Sequence, residues 1–197
     1  VGTNSDNIFA DALNRGVTFD VEAAYASALR NGSVYSVNNG KNSYSGRAHM
    51  DGMVFRGYVP QDGLTGGWGG EEFNFSWSME GSGTDFAIAS MAKYLRDKAT
   101  PGSEAWQKYN DEYLYFTARA TNYVHLFNES MGGWFRAKKS DGTWLQTDEQ
   151  FDPTAQGYGY CEDNAYNYAF PPYDGQGLAN LYGMARDKDG RTALGDK

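Results

Sequence analysis

The sequence predicts an all-α fold with long loops and one small β-hairpin. Three observations lead there. Apolar side chains recur at helical spacing over several segments, the stretches between them are rich in Gly, Asn and Ser, and one Asp-Gly pair stands between short flanks suited to a tight turn. Helices are expected near residues 20–31, 83–97, 108–127 and 175–185. No linker or composition shift divides the 197 residues, so residues 1–197 read as part of one domain with no internal boundary.

Ala10 to Leu13 read as the end of a first helix closed by Gly16. From Asp20, the positions Val21, Ala24, Tyr25, Ala28 and Leu29 follow the i, i+3, i+4, i+7, i+8 stripe of an amphipathic helix, with Asp20 as N-cap and Gly32 as the stop. Asn31 to Gly46 show no period and read as loop. A short helix is expected around His49 to Arg56, before Gly57-Tyr58-Val59-Pro60, and Gly63 to Gly70 form a glycine-rich loop around Trp68. Phe73, Phe75, Trp77 and Met79 alternate with polar residues, which is the period of a strand. Ile88, Met91, Ala92 and Leu95 then make a helical stripe, with Ser82 or Thr84 available as cap. After Ser103, the positions Tyr113, Phe116, Ala120, Tyr123, Val124 and Phe127 keep the helical period to Leu126 or beyond. Trp134 to Leu145 read as the hairpin, because Asp141-Gly142 supplies the positive φ of a tight turn. Pro171-Pro172 break the chain, and a last helix buries Leu178, Leu181 and Tyr182.

Composition narrows the function. Lys+Arg number 17 against 25 Asp+Glu, a net charge of −8, which excludes a phosphate-tracking nucleic-acid surface and an electrostatic membrane anchor. No apolar run approaches the roughly 18 residues of a membrane-spanning helix. Cys161 is the only cysteine, so an internal disulfide or a CxxC metal knuckle cannot form. The aromatic share of 16% suits a surface that stacks on sugar rings, and a Tyr-rich core gives the same figure.

Short motifs settle little. Gly66 to Gly70 lead into Glu71-Glu72 where a phosphate loop needs Gly-Lys-Ser/Thr. Asp187, Asp189 and Gly190 mimic the opening of a calcium loop without its closing Glu. His49 and His125 lie far apart, and no Gly-x-Ser-x-Gly elbow occurs. Glu71, Glu72, Glu80, Asp85, Glu162, Asp163 and Asp174 stand beside aromatics and amides. Two facing carboxylates in an aromatic cleft are what glycoside hydrolysis uses; solvated surface acids look the same in a sequence.

A longer pattern is more specific. The run Tyr160-Cys161-Glu162-Asp163-Asn164-Ala165-Tyr166-Asn167-Tyr168, followed by Pro172-Tyr173-Asp174-Gly175-Gln176-Gly177-Leu178, resembles the Tyr-x-Glu-Gly-Asn-Ala-Trp-x-Tyr and Pro-His-Asp-x-x-Gly-Leu segments of the bacterial exo-α-mannosidases of glycoside hydrolase family 92. Gly57-Tyr58-Val59-Pro60, Ser78-Met79-Glu80 through Thr84-Asp85-Phe86, Arg119-Ala120-x-Asn122-Tyr123, Asp141-Gly142-Thr143-Trp144 and Phe151-Asp152-Pro153 fit the family in the same order. Asp163, Tyr166 and Tyr173 replace its usual Gly, Trp and His, and Gly2-Thr3-Asn4-Ser5 stand where many members have Gly-Asp.

The resemblance implies calcium-dependent inverting exo-α-mannosidases, with a β-sandwich followed by an (α/α)6 barrel of which this chain is a central part. It implies Glu162 as general acid, its pKa raised by a poorly solvated cleft. It also implies sugar contacts from Glu80, Asp85, Asn164, Tyr168 and Asp174. The family's base lies in a later Gly-Asn-x-Asp segment, and its calcium ligands are expected mainly downstream. The chain alone is therefore expected to bind no metal, although Ca2+ is implied for the complete enzyme, and to be inactive by itself. The implied partners are a mannose-containing glycan and the remaining segments of the same polypeptide, with no nucleic acid and no membrane. The implied setting is secreted or periplasmic. The alternative is a non-catalytic carbohydrate-binding or scaffolding helical module.

Overall fold

The computed structural model describes residues 3–35, 46–47, 49–62, 74–153 and 171–184. Among these, six α-helices carry the fold: α1 (Ser5–Asn14), α2 (Val21–Ser33), α3 (Met50–Phe55), α4 (Asn74–Lys98), α5 (Glu104–Ala120) and α6 (Gly175–Met184). Two short strands, β1 (Phe127–Asn128) and β2 (Trp134–Phe135), pair antiparallel with Phe127 opposite Phe135. The expected mostly helical fold with a small β element is the one observed.

Local chemistry explains the helix ends that the sequence marks. The Asp20 carboxylate accepts the Ala23 N–H at 3.0 Å and caps α2, and the Ser103 hydroxyl accepts the Trp106 N–H at 3.2 Å and caps α5. Gly16 closes α1 at a φ of 76°. Gly32 departs from its expected role as stop, since α2 runs on to Ser33 with Gly32 buried inside it. A Cβ there would lie 2.6 Å from Ile88 Cδ1 and 3.0 Å from Phe116 Cε1. The missing side chain is what lets the last turn of α2 reach α4 and α5 so closely.

The strand expected from Phe73 to Met79 is instead the start of α4, with Phe73 itself outside the described residues. Helix α4 is covered on more than one side, so buried residues occupy nearly every phase from Asn74 to Ala92 and the helical period is hidden. Ser82 and Thr84 do not cap it. They lie buried in mid-helix, where Ser82 Oγ donates to the Ser78 carbonyl at 3.1 Å and Thr84 Oγ1 to the Gly81 carbonyl at 3.0 Å. The expected helix 108–127 starts earlier and stops at Ala120, and a 3-10 turn, Asn122–Leu126, carries on the burial of Tyr123 and Leu126 that kept the period alive.

Asp141-Gly142 does form the expected turn. Gly142 has a φ of 86°, Lys139 N–H donates to Thr143 O at 2.8 Å, and Leu145 N–H donates to Ala137 O at 2.9 Å. The regular ladder nevertheless lies one step earlier, between β1 and β2.

Helix α4 packs most extensively on α5, and α1 and α2 pack against it. Its second half joins one apolar core through Ala87, Ile88, Met91, Ala92 and Leu95, with Tyr25, Ala28 and Phe116. Its first half joins another through Phe75 and Met79, with Tyr58, Tyr123, Leu126, Phe135 and Tyr182. Between them on α4 lies a buried polar stretch, Ser82, Thr84 and Asp85.

Candidate active site

Pro171-Pro172 end any upstream helix, and Asp174 opens α6 in the next turn. Asp174 Oδ1 accepts the Gly177 N–H at 2.9 Å, a capping bond, while Oδ2 accepts the Tyr123 hydroxyl at 2.7 Å. Gly177 is needed for this arrangement, because a Cβ would sit 2.3 Å from Asp174 Oδ2 and 2.4 Å from Tyr123 Oη. Tyr173 stacks on Phe86 of α4 at 4.8 Å with an 18° interplanar angle, and donates its hydroxyl to the Ala120 carbonyl at 2.8 Å. Burial raises the Tyr173 hydroxyl pKa, and the nearby Tyr123, Asp85 and Asp174 raise it further. Burial and the Asp174 bond likewise raise Tyr123. Both phenols therefore remain donors near neutral pH.

Of the expected site residues, Glu80 is half-buried on the α4 face that carries Gly83 one turn later. That face meets Tyr173, since a Cβ on Gly83 would touch Tyr173 Cε1 at 3.7 Å. The structure thus brings the Asp174 segment up to the Glu80 side of α4. Asp85, five residues after Glu80, is rotated roughly 140° around the helix and points elsewhere. Its Oδ1 accepts Arg47 Nη1 at 2.5 Å and Arg119 Nη2 at 2.8 Å, and its Oδ2 accepts Arg119 Nε at 2.9 Å. Asp85 is wholly buried, and Arg119 also donates through Nη1 to the Gly32 carbonyl at 2.7 Å. Glu162, Asn164 and Tyr168 lie outside the described residues, as do Glu71, Glu72 and Asp163.

Sequence reasoning missed Arg47, Arg119 and Tyr123 as site-building residues. Arg119 carried a usable signal, because it falls three residues after the buried Phe116 of α5 and four before the buried Tyr123 of the 3-10 turn that follows. Arg47 gave none, standing in a stretch without period.

Calcium finds no cradle among the described residues: no three His, Cys, Asp or Glu come together there. Asp85, the most buried carboxylate of the group, already faces two guanidinium cations that would repel Ca2+. A separate open groove of about 500 Å³ runs between the end of α1, α4 and α5, lined in part by Phe86, Lys93, Tyr94, Asp97 and Tyr113.

Comparison with known proteins settles the family. Residues 1–189 match the model of the Glycosyl hydrolase family 92 catalytic domain, which is nearly the whole chain. The chain belongs to glycosyl hydrolase family 92. A solved structure of a family GH92 α-mannosidase from Bacteroides thetaiotaomicron is similar at 27% identity, with a TM-score of 0.55. The match covers 80% of this chain and 17% of that one, so this family 92 chain spans about a sixth of the enzyme it matches. No curated protein sequence matches. The matched range takes in all the ordered motifs from Gly57 to Leu178.

Proposed function

We propose that this chain supplies the general acid and part of the sugar-binding wall of an inverting exo-α-mannosidase acting on terminal mannose of glycans. The observation that carries the reading is the family 92 match over residues 1–189, which takes in Glu162 and its flanking motif. Glu162 protonates the glycosidic oxygen as the bond breaks, and a base from elsewhere in the polypeptide activates water on the opposite sugar face. Asp174 keeps lone pairs on both oxygens beyond the Gly177 and Tyr123 bonds, so it can accept a sugar hydroxyl while held in place. Glu80, Asn164 and Tyr168 complete the sugar contacts. Asp85 acts from behind them, holding Arg47 and Arg119 and hence the ends of α2 and α5. The complete enzyme takes its Ca2+ from other segments, works outside the cytoplasm, and builds an (α/α)6 barrel to which these helices contribute. By itself the chain lacks the base and should not turn over mannosides.

The test is Glu162→Gln in the intact polypeptide, assayed on a mannose disaccharide and on a dinitrophenyl mannoside. The disaccharide rate should fall by about 10²–10⁴-fold, because its leaving alkoxide needs the proton. The dinitrophenyl rate should fall far less, since that leaving group departs unaided. Equal loss on both substrates would make Glu162 a binding or structural residue, and no loss on either would end the assignment.

A further inference from the structure

Helix α4 is unevenly covered. Its first half is buried at nearly every phase, whereas its second half turns one face toward the open groove of about 500 Å³ between the end of α1, α4 and α5. Two adjacent rows at four-residue spacing line that face, Phe86, Ser90 and Tyr94 in one and Ala89, Lys93 and Asp97 in the other. Rows at this spacing are the ridges of a helix surface, and the channel between two of them has the shape that receives a ridge from a second helix. Ala89 and Ser90 keep the middle of the channel free of bulk, while the rings of Phe86 and Tyr94, 39% and 38% exposed, stand about two turns apart at either side of it. From residue 86 to residue 97 the face runs for roughly 17 Å, about three turns, which is a common length of contact between packed helices.

The polar groups of the face say what kind of occupant fits. Ser90 Oγ donates to the Phe86 carbonyl at 2.9 Å, Lys93 pairs with Asp97 at 3.8 Å, and Asp97 also accepts Arg96 Nε at 2.9 Å. Hydrogen bonding is thus largely turned inward along α4, and a sugar or other polar ligand would find few partners. Two half-exposed rings around small residues suit an apolar ridge instead, since aromatic side chains carry much of the contact energy where protein surfaces meet. Lys93 and Asp97, with side chains 54% and 51% exposed, suit the wet edge of such a seam, the lysine stem lying along apolar surface with its charge in water. This chain corresponds to 17% of the family 92 enzyme it matches, so most of a polypeptide of that kind lies outside these residues. We propose that the groove is the seat of a further helix of the same polypeptide, laid along α4 between α1 and α5 with an apolar ridge held between Phe86 and Tyr94. The small residues at the centre bring the two axes to about 8 Å, the close end of helix packing. This contact is separate from the Asp174 wall and does not depend on which glycoside is cleaved.

The experiment uses the intact polypeptide that carries this chain. Lys93→Cys is labelled with iodoacetamide in the folded protein and again after unfolding in urea, and the rate is read from its own peptide by mass spectrometry, apart from Cys161. Because the Lys93 side chain is 54% exposed here, strong protection at that position requires a covering segment. The folded protein should react at least about 50-fold more slowly than the unfolded one, and a smaller gap overturns the proposal. Ser90→Trp supplies a second reading. With a helix seated the indole has no room, so the melting temperature of the intact polypeptide should fall by several degrees, whereas an open groove takes the ring freely and an unchanged melting temperature refutes the seat. Labelling is then repeated with added mannan: protection that appears only in its presence would make the groove a glycan site and end the helix assignment. None of these measurements reads hydrolysis, so a failure here leaves the mannoside reading standing, and a failure of that reading leaves this one to its own result.

Discussion

Asp85→Asn is the most informative single change to stability. Asp85 is 0% exposed, and its partners Arg47 and Arg119 are 2% and 6% exposed. The carboxylate accepts three N–H bonds from the two arginines. The amide keeps the shape, yet it replaces one acceptor oxygen with an NH2 group that faces donors, and it leaves two buried cations without a counter-charge. Breaking a buried ion pair by removing one partner costs about 3–5 kcal/mol, against a total of roughly 5–15 kcal/mol for a domain. Urea denaturation should show a clear fall in the midpoint with an unchanged slope. Asp11→Asn is the internal control. Its ion pair with Arg15 is also short, at 2.7 Å, but the two side chains are 63% and 74% exposed, so its loss should stay within about 1 kcal/mol. Replacing all three buried residues together (Asp85→Leu, Arg47→Met, Arg119→Met) should recover much of the lost stability, since well-packed apolar substitutes for buried charges are often neutral or better. An Asp85→Asn variant as mildly affected as Asp11→Asn would refute the view that the three side chains form a desolvated unit.

Three further outcomes can be measured on the same chain. Gly32→Ala should cost about 1–3 kcal/mol in denaturant unfolding, because its methyl meets Ile88 and Phe116 where the packing has no room. Tyr123→Phe leaves Asp174 Oδ2 without its donor and should destabilise the protein by about 0.5–1.5 kcal/mol, with faster hydrogen exchange at the start of α6 as the local readout. Burial holds the Asp6 carboxyl above the ordinary carboxylate range, so the folded state keeps that proton more tightly than the unfolded chain. The Asp6 contribution is then fully present below the ordinary aspartate range, near pH 3.8, and is lost as pH rises through the folded-state pKa. Melting temperature against pH should show that decline in wild type, and Asp6→Asn should flatten it.

What the sequence disclosed depended on how many sides of each element are covered. Helix α2 has one buried face and a capping aspartate, so the apolar stripe from Val21 to Leu29 and the Asp20 cap could be read directly. The first half of α4 is surrounded, and when every phase is buried no stripe remains; Phe75, Trp77 and Met79 then imitate the alternation of a strand. Gly32 reads as a terminator in the sequence because glycine commonly ends helices, whereas its use here is close approach, which only the neighbours Ile88 and Phe116 reveal. Asp174 was legible within a motif. Its tie to Tyr123 was not, because that bond joins residues 51 positions apart and depends on how the 3-10 turn after α5 meets the start of α6. The Arg47–Asp85–Arg119 cluster was hidden for the same reason, being drawn from three segments far apart in the chain.

That cluster also fixes where α4 can stand along its own axis. Among the residues α4 buries in its second half, Ala87, Ala89, Met91 and Ala92 are small or unbranched, so much of the register there rests on the close fit of Ile88 against Gly32. A slip of one helical turn, about 5.4 Å, would bring Gly81 or Ala89 to the place of Asp85. Two guanidiniums would then face an apolar side chain or none. The buried carboxylate therefore works as a second notch beside the one at Gly32: a slip that the small alanines would tolerate still strands two guanidiniums without their counter-charge.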